Sequence, residues 1–150
     1  MGGRPILDHA LEAFALAGVS EVIVVTGHLH DQIAAYAARA KVPCRVIFNP
    51  RYDTANNYYS LLVAEPALSG EAFIKVDSDL VFRPAVLDRM LAAEGDLCLA
   101  VDTGVALGHE EMKVRLDAQG RVNGVSKQLP PAECVGESIG MEKVSAALAE

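Results

Sequence analysis

The chain has 150 residues, 13 Lys plus Arg against 20 Asp plus Glu, and a formal net charge of −7. That length suits one domain, and the acidic balance argues against nucleic acid as the main partner, because no basic surplus exists to neutralise phosphates. With 51% hydrophobic residues the chain has material for a core, which excludes wholesale disorder.

The segment Met1-Gly2-Gly3-Arg4-Pro5 has no signal-peptide layout. Pro5 suits the first turn of a helix, and Ile6, Leu7, Ala10, Leu11 and Phe14 recur at helical spacing before Gly18 stops the run. Residues 21–26 read as a strand, apolar on both faces through Val22-Ile23-Val24-Val25, which suits the interior of a parallel sheet. Residues 31–40 form a second helix, ended by Pro43, and 44–48 a second strand, ended by Asn49-Pro50. A polar loop over 51–57 leads into a helix over 58–65, stopped by Pro66. A third strand over 72–76 runs into Asp77-Ser78-Asp79, a helix follows over 84–93, and a fourth strand over 97–101. Val114-Arg115-Leu116 and Val122-Asn123-Gly124-Val125 flank the turn signal Asp117-Ala118-Gln119-Gly120 and predict a β-hairpin. Residues 139–144 return to the main sheet, and 146–150 begin a helix.

Strands alternating with helices predict an α/β fold: a Rossmann-like, mostly parallel sheet with helices on both faces and a small β-hairpin insertion over its carboxyl edge. That edge is where open α/β sheets bind ligands. No apolar run approaches the ~18 residues of a membrane span. Cys44, Cys98 and Cys134 lie far apart, as expected of a reducing cytoplasm and unlike a disulfide scaffold or zinc site.

The sharpest chemical feature is Asp77-Ser78-Asp79, two carboxylates delivered to the end of the apolar strand Phe73-Ile74-Lys75-Val76. Asp is a poor strand former, and residues two apart on extended backbone point the same way. Two carboxylates on one side suit Mg²⁺, a hard cation that favours oxygen ligands and substrate phosphates. The alternative is a polar loop in which Asp79 caps a short turn.

A second feature is the run from Asn49 to Leu61, which holds Tyr52, Asn56, Asn57, Tyr58, Tyr59 and Ser60. Asn offers both donors and acceptors, as reading a base edge requires, and tyrosine rings can stack on a base or enclose a quaternary ammonium. The alternative has Asn56 or Asn57 capping a helix while Tyr58 and Tyr59 pack in the core. Lys113 and Lys127 flank strand-like stretches, where each either faces a phosphate as a point charge or is solvated. Glu137 lies between Gly136 and Gly140, where backbone can approach a ligand closely, or else belongs to an ordinary turn. His9, His28, His30 and His109 lack triad-like or metal-ligand surroundings and read as structural or solvated.

With these motifs in order, the chain resembles the nucleotidyltransferase superfamily that makes activated sugars and alcohols. The likeness runs from Gly2-Gly3-Arg4-Pro5-Ile6-Leu7 through Asn49-Pro50, the Thr54 to Leu61 segment and Asp77-Ser78-Asp79-Leu80-Val81-Phe82. It continues to Met112-Lys113-Val114, Ser126-Lys127 and Gly136-Glu137-Ser138-Ile139-Gly140. It looks closest to the phosphocholine cytidylyltransferase branch, which also resembles aminoethylphosphonate and inositol-phosphate cytidylyltransferases.

The resemblance implies that Asp79 binds Mg²⁺ with Asp77 as helper, and that Asn49, Asn56, Asn57, Tyr58 and Ser60 lie along the substrate and base-contacting loop. It places Lys113, Lys127 and Glu137 near the substrate phosphate and acceptor. The implied partners are CTP, or another NTP, and a small phosphorylated acceptor, with no nucleic acid and no membrane span. An acceptor oxygen attacks the α-phosphorus and pyrophosphate leaves, so the protein contributes positioning and charge neutralisation. The resemblance further implies that residues 1–150 are an interior piece of one nucleotidyltransferase-like domain. The family's first strand and glycine-rich phosphate loop, which cradles a triphosphate through backbone N–H groups, would precede it. This stretch alone is therefore expected to be inactive, with ladder groups of Val22–Val25 or Phe73–Val76 left unpaired. A sugar-1-phosphate nucleotidyltransferase and a non-catalytic nucleotide- or partner-binding remnant are the rival readings.

Overall fold

The computed structural model describes residues 3–68 and 70–149. Helix α1 (Ile6–Leu16) follows Pro5, whose missing N–H leaves no orphan donor at a helix entry. It closes as its sequence predicts. Gly18 N–H donates to Ala15 O at 3.3 Å and Val19 N–H to Phe14 O at 3.1 Å, which satisfies carbonyls of the last turn. Strands β1 (Val22–Thr26) and β2 (Cys44–Phe48) pair in parallel, from Val22 opposite Cys44 to Thr26 opposite Phe48. Helix α2 (His30–Ala37) connects them and packs on β2.

Helix α3 (Asn57–Leu68) packs on β1 and β2 and runs through Pro66, where a stop was expected. Pro66 lies in the last turn, so its missing N–H costs one helical bond, the one to the carbonyl of Leu62. Leu62 is half exposed, which leaves that carbonyl within reach of water.

Strand β3 (Phe73–Val76), helix α4 (Pro84–Ala92), β4 (Leu97–Asp102), the hairpin β5 (Lys113–Leu116) and β6 (Val122–Ser126), and β7 (Gly136–Val144) complete the chain. β7 organises a five-stranded sheet. Val144 is opposite both Phe73 and Leu97, so β7 lies between β3 and β4 and runs antiparallel to each. At its other end Glu137 is opposite both Asp102 of β4 and Lys113 of β5.

The α/β class and the hairpin are as expected, but the sheet is not mostly parallel. Parallel bonding among the described residues is confined to β1 and β2. β3 and β4 do run the same way, and the antiparallel β7 separates them. Among the described residues β1 and β3 each have a strand partner on one edge only.

Helix α4 packs on β4 and β7. Leu87 and Met90 are buried on the helix, Met141 on β7 and Val114 on β5. Residues 146–148 form a short 3-10 turn, and Glu150 of the expected terminal helix lies outside the described residues. Among the described residues no helix is long and apolar enough to cross a membrane, and all three cysteines are free.

Candidate active site

Loops leave the carboxyl ends of β1, β2 and β3; those after β2 and β3 carry Asn49, Asn56, Asp77 and Asp79. Asn57, Tyr58 and Ser60 follow on α3, and Lys113, Lys127 and Glu137 lie elsewhere, on or beside β5, β6 and β7. Lys75 on β3 and Asp77 just past its end lie two residues apart and share a face, as does Glu142, which is opposite Lys75 on β7. Lys75 Nζ lies 2.7 Å from Asp77 Oδ1 and 2.9 Å from Glu142 Oε2. Burial alone would lower the Lys75 pKa. The hydrogen bonds and charges of Asp77 and Glu142 outweigh it, and the pKa is raised. Asp77 is fixed from its backbone too, through an N–H donated to Gly140 O at 2.8 Å. Gly140 sits at φ 78°, and a Cβ there would collide with the Asp77 carboxylate.

The backbone then turns, with Leu80 N–H donating to Asp77 O at 3.2 Å. The expectation that Asp77 and Asp79 point the same way needs extended backbone, which ends at Asp77. Asp79 lies in the turn and is exposed. Among the described residues its carboxylate has no hydrogen-bond or ion-pair partner, and no group of three or more His, Cys, Asp or Glu side chains is arranged to hold a metal. Asp79 therefore offers one free carboxylate. That fits Mg²⁺, which commonly takes one or two protein carboxylates and completes its shell with water and phosphate oxygens.

Asn49, at the end of β2, is 2% exposed. Its Oδ1 accepts the Arg51 N–H at 2.8 Å, its Nδ2 donates to Ser60 Oγ at 3.1 Å, and its own N–H reaches Thr26 O. Asn49 and Ser60 thus brace the loop between β2 and α3. Asn56, Asn57 and Tyr58 stand exposed where α3 begins, and among the described residues no side-chain hydrogen bond engages the two asparagines.

The tyrosines do not converge on one cage. Tyr59 carries the Arg51 guanidinium over its ring at 4.9 Å, Tyr58 is 67% exposed, and Tyr52 lies against Gly27 and near Phe48, with ring centroids 6.4 Å apart. His30 joins this last group. Its Nδ1 is 2.6 Å from the buried Thr26 Oγ1, and its ring meets Phe48 edge-on at 5.1 Å. A depression of about 390 Å³ beside it is lined by Leu29, His30, Asp31, Gln32 and Phe48.

The two lysines differ. Lys113 is 1% exposed, and its ammonium donates to Gly108 O at 2.8 Å and Glu111 O at 3.4 Å. Lys127 is about half exposed and pairs with Glu110 at 3.2 Å. Glu137 is half-buried in β7, between Asp102 and Lys113 in register. Sequence reasoning passed over Lys75, Glu142 and the contact between Gly140 and Asp77. The signal was present as a lysine inside an apolar strand, two residues before an aspartate.

A family model described as the MobA-like NTP transferase domain matches residues 1–119. The chain belongs to this family. Its membership in the nucleotidyltransferase superfamily is as the motifs suggested. The matched stretch holds Asn49, Asn56, Asn57, Asp77, Asp79 and Lys113, and it ends before Lys127 and Glu137.

Among curated relatives, this MobA-like chain is 39% identical over 95 residues to CMP-5'-(3-aminopropyl)phosphonate synthase of Streptomyces rubellomurinus, covering 62% of this chain and 15% of that protein. It is 32% identical over 133 residues to the bifunctional IPC transferase and DIPP synthase of Rubrobacter xylanophilus, covering 87% of this chain and 30% of that protein. The chain thus spans less than a third of the length of these relatives. Its fold is similar to that of the inositol-1-phosphate CTP transferase from T. maritima, with a TM-score of 0.82 at 18% identity over 99% of this chain and 61% of that one.

Proposed function

We propose that this chain forms part of a Mg²⁺-dependent cytidylyltransferase that transfers CMP from CTP to a small phosphorylated alcohol or amine, such as phosphocholine or an aminoalkyl phosphonate, releasing pyrophosphate. The observation that carries this reading is Asp79, a free carboxylate at the carboxyl end of β3 in a chain of the MobA-like family. The names of its relatives supply the class of nucleotide and acceptor.

In the proposed reaction an oxygen of the acceptor's phosphate or phosphonate attacks the α-phosphorus of CTP, and the bond from that phosphorus to the bridging oxygen breaks. Bound Mg²⁺ supplies neutralisation of phosphate charge. Asp79 supplies the carboxylate that holds it, with Asp77 set behind the turn. Asn56 and Asn57 present donors and acceptors to the base edge, and Tyr58 presents a ring for stacking. Asn49 and Ser60 keep that ledge in place through their mutual hydrogen bond. Of the two lysines Lys127 is the exposed one, and it would meet a phosphate on leaving Glu110. Glu137 lies on β7, the strand that also carries the Gly140 support of Asp77.

The test is pyrophosphate release by the full-length protein with each of CTP, UTP, ATP and GTP, paired in turn with phosphocholine, an aminoalkyl phosphonate, inositol 1-phosphate and glucose 1-phosphate. The expected result is turnover with CTP and a non-sugar acceptor. Preference for another NTP with glucose 1-phosphate would replace this reading by sugar-nucleotide synthesis, and no turnover with any pair would favour a binding role.

A further inference from the structure

We propose that Lys75 is a positioning residue that withholds Asp77 from metal ligation, so that Asp79 alone supplies this chain's carboxylate to Mg²⁺. The inference rests on the reading of Asp79 given above and concerns what lies behind it. One Asp77 oxygen is ion-paired, and the other is hemmed in on one side. Oδ1 lies 2.7 Å from the Lys75 ammonium, and Oδ2 faces the Cα of Gly140, where not even a Cβ would fit.

Glu142, the direct register partner of Lys75 on the neighbouring strand, pairs with the same ammonium at 2.9 Å. The arrangement is a three-member charge row across β3 and β7 with a net charge of one negative instead of two. A divalent cation approaching Asp77 would feel the ammonium 2.7 Å from Oδ1, whose positive charge offsets that of the carboxylate and repels the cation. The turn that follows carries Asp79 out of this row into solvent. The row thus accounts for two aspartates in one short motif with different duties: one anchors the strand end, the other meets the metal. A lysine with a purely structural duty would have no reason to set the metal affinity of the site.

The test is Mn²⁺ binding to the full-length protein without nucleotide or acceptor, followed by electron paramagnetic resonance of the free ion. The variants are Lys75→Met, Asp77→Asn, Asp79→Asn and the double variant Lys75→Met/Asp77→Asn, each checked for folding by circular dichroism. Because affinity follows ligand charge count, Lys75→Met should tighten Mn²⁺ binding roughly tenfold, and the double variant should lose that gain. Asp77→Asn alone should leave binding unchanged. If Lys75→Met does not fold, Lys75→Gln keeps length and a neutral donor and should shift binding in the same direction.

Unchanged or weaker binding in a folded Lys75 variant, or weaker binding in Asp77→Asn, would overturn the role given to Lys75. Wild-type binding that ignores Asp79→Asn would overturn the Asp79 reading instead. The effect of Lys75→Met, and its dependence on Asp77, would still decide the Lys75 proposal.

Discussion

Gly140 and Asp77 are packed backbone to carboxylate across β7 and the end of β3. The Asp77 N–H donates to Gly140 O at 2.8 Å, and the Gly140 Cα occupies the space beside Oδ2. A side chain at position 140 meets two penalties, the positive φ of 78° and the collision with Asp77. Gly140→Ala should therefore destabilise the fold by about 1–3 kcal/mol, read as a lower urea midpoint, and should also disturb the turn that carries Asp79. An alanine variant as stable as the parent would show that this contact is loose.

Asn49 is the brace of the second loop. Asn49→Ala leaves the Arg51 N–H and the Ser60 hydroxyl without their partners near the buried end of β2. A loss of about 1–3 kcal/mol is expected in denaturant unfolding. Because α3 would lose its tether, KM for the nucleotide should rise as well. Asn49→Ala with unchanged stability and KM would mean that solvent replaces the brace.

Lys143 reaches from β7 to the end of α4, donating to Leu91 O at 2.8 Å and Ala93 O at 2.6 Å. It satisfies carbonyls that the helix leaves open and sets a positive charge at the negative end of the helix. Lys143→Met keeps the apolar stem and removes the donors. Chemical denaturation should show a loss of about 1–2 kcal/mol, with hydrogen exchange increasing first in residues 84–92.

The hairpin turn carries an acid-sensitive contact. Backbone N–H of Arg121 holds the Asp117 carboxyl below its ordinary value of 3.8; desolvation opposes it, and the Arg121 side chain and the Gln119 N–H add to the lowering. A depressed folded pKa adds stability above the unfolded value, and that stability is lost as pH falls through the folded pKa. Asp117→Asn should thus lower the urea midpoint at neutral pH, and the gap to the parent should narrow steadily below about pH 4. A gap that stays constant down to pH 2 would contradict the assignment.

Much of this was legible in the sequence for physical reasons. The run Val22-Ile23-Val24-Val25 is apolar on both faces, and β1 pairs as a parallel strand. Asp117 to Gly120 carries turn chemistry, and the hairpin forms around it. Pro66 misled because a proline in the last turn of a helix removes only one bond. The sheet order was not legible, since nothing local in residues 136–144 says that they enter between β3 and β4. Lys75 was passed over because a lone lysine reads as solvated until its cross-strand partner, Glu142, is known. Asp77 and Asp79 were assigned to one side on extended geometry that the turn at Leu80 cancels.

The most direct test of the account is pyrophosphate release from CTP in saturating Mg²⁺ by Asp79→Asn, measured in the full-length protein with the acceptor that the parent uses. The substitution is nearly isosteric, so the melting curve should be unchanged. Loss of a metal-holding carboxylate removes several kcal/mol of transition-state stabilisation, and turnover should fall by roughly a hundredfold or more. Turnover within a few-fold of the parent would contradict the central claim that Asp79 is the carboxylate on which the transfer depends.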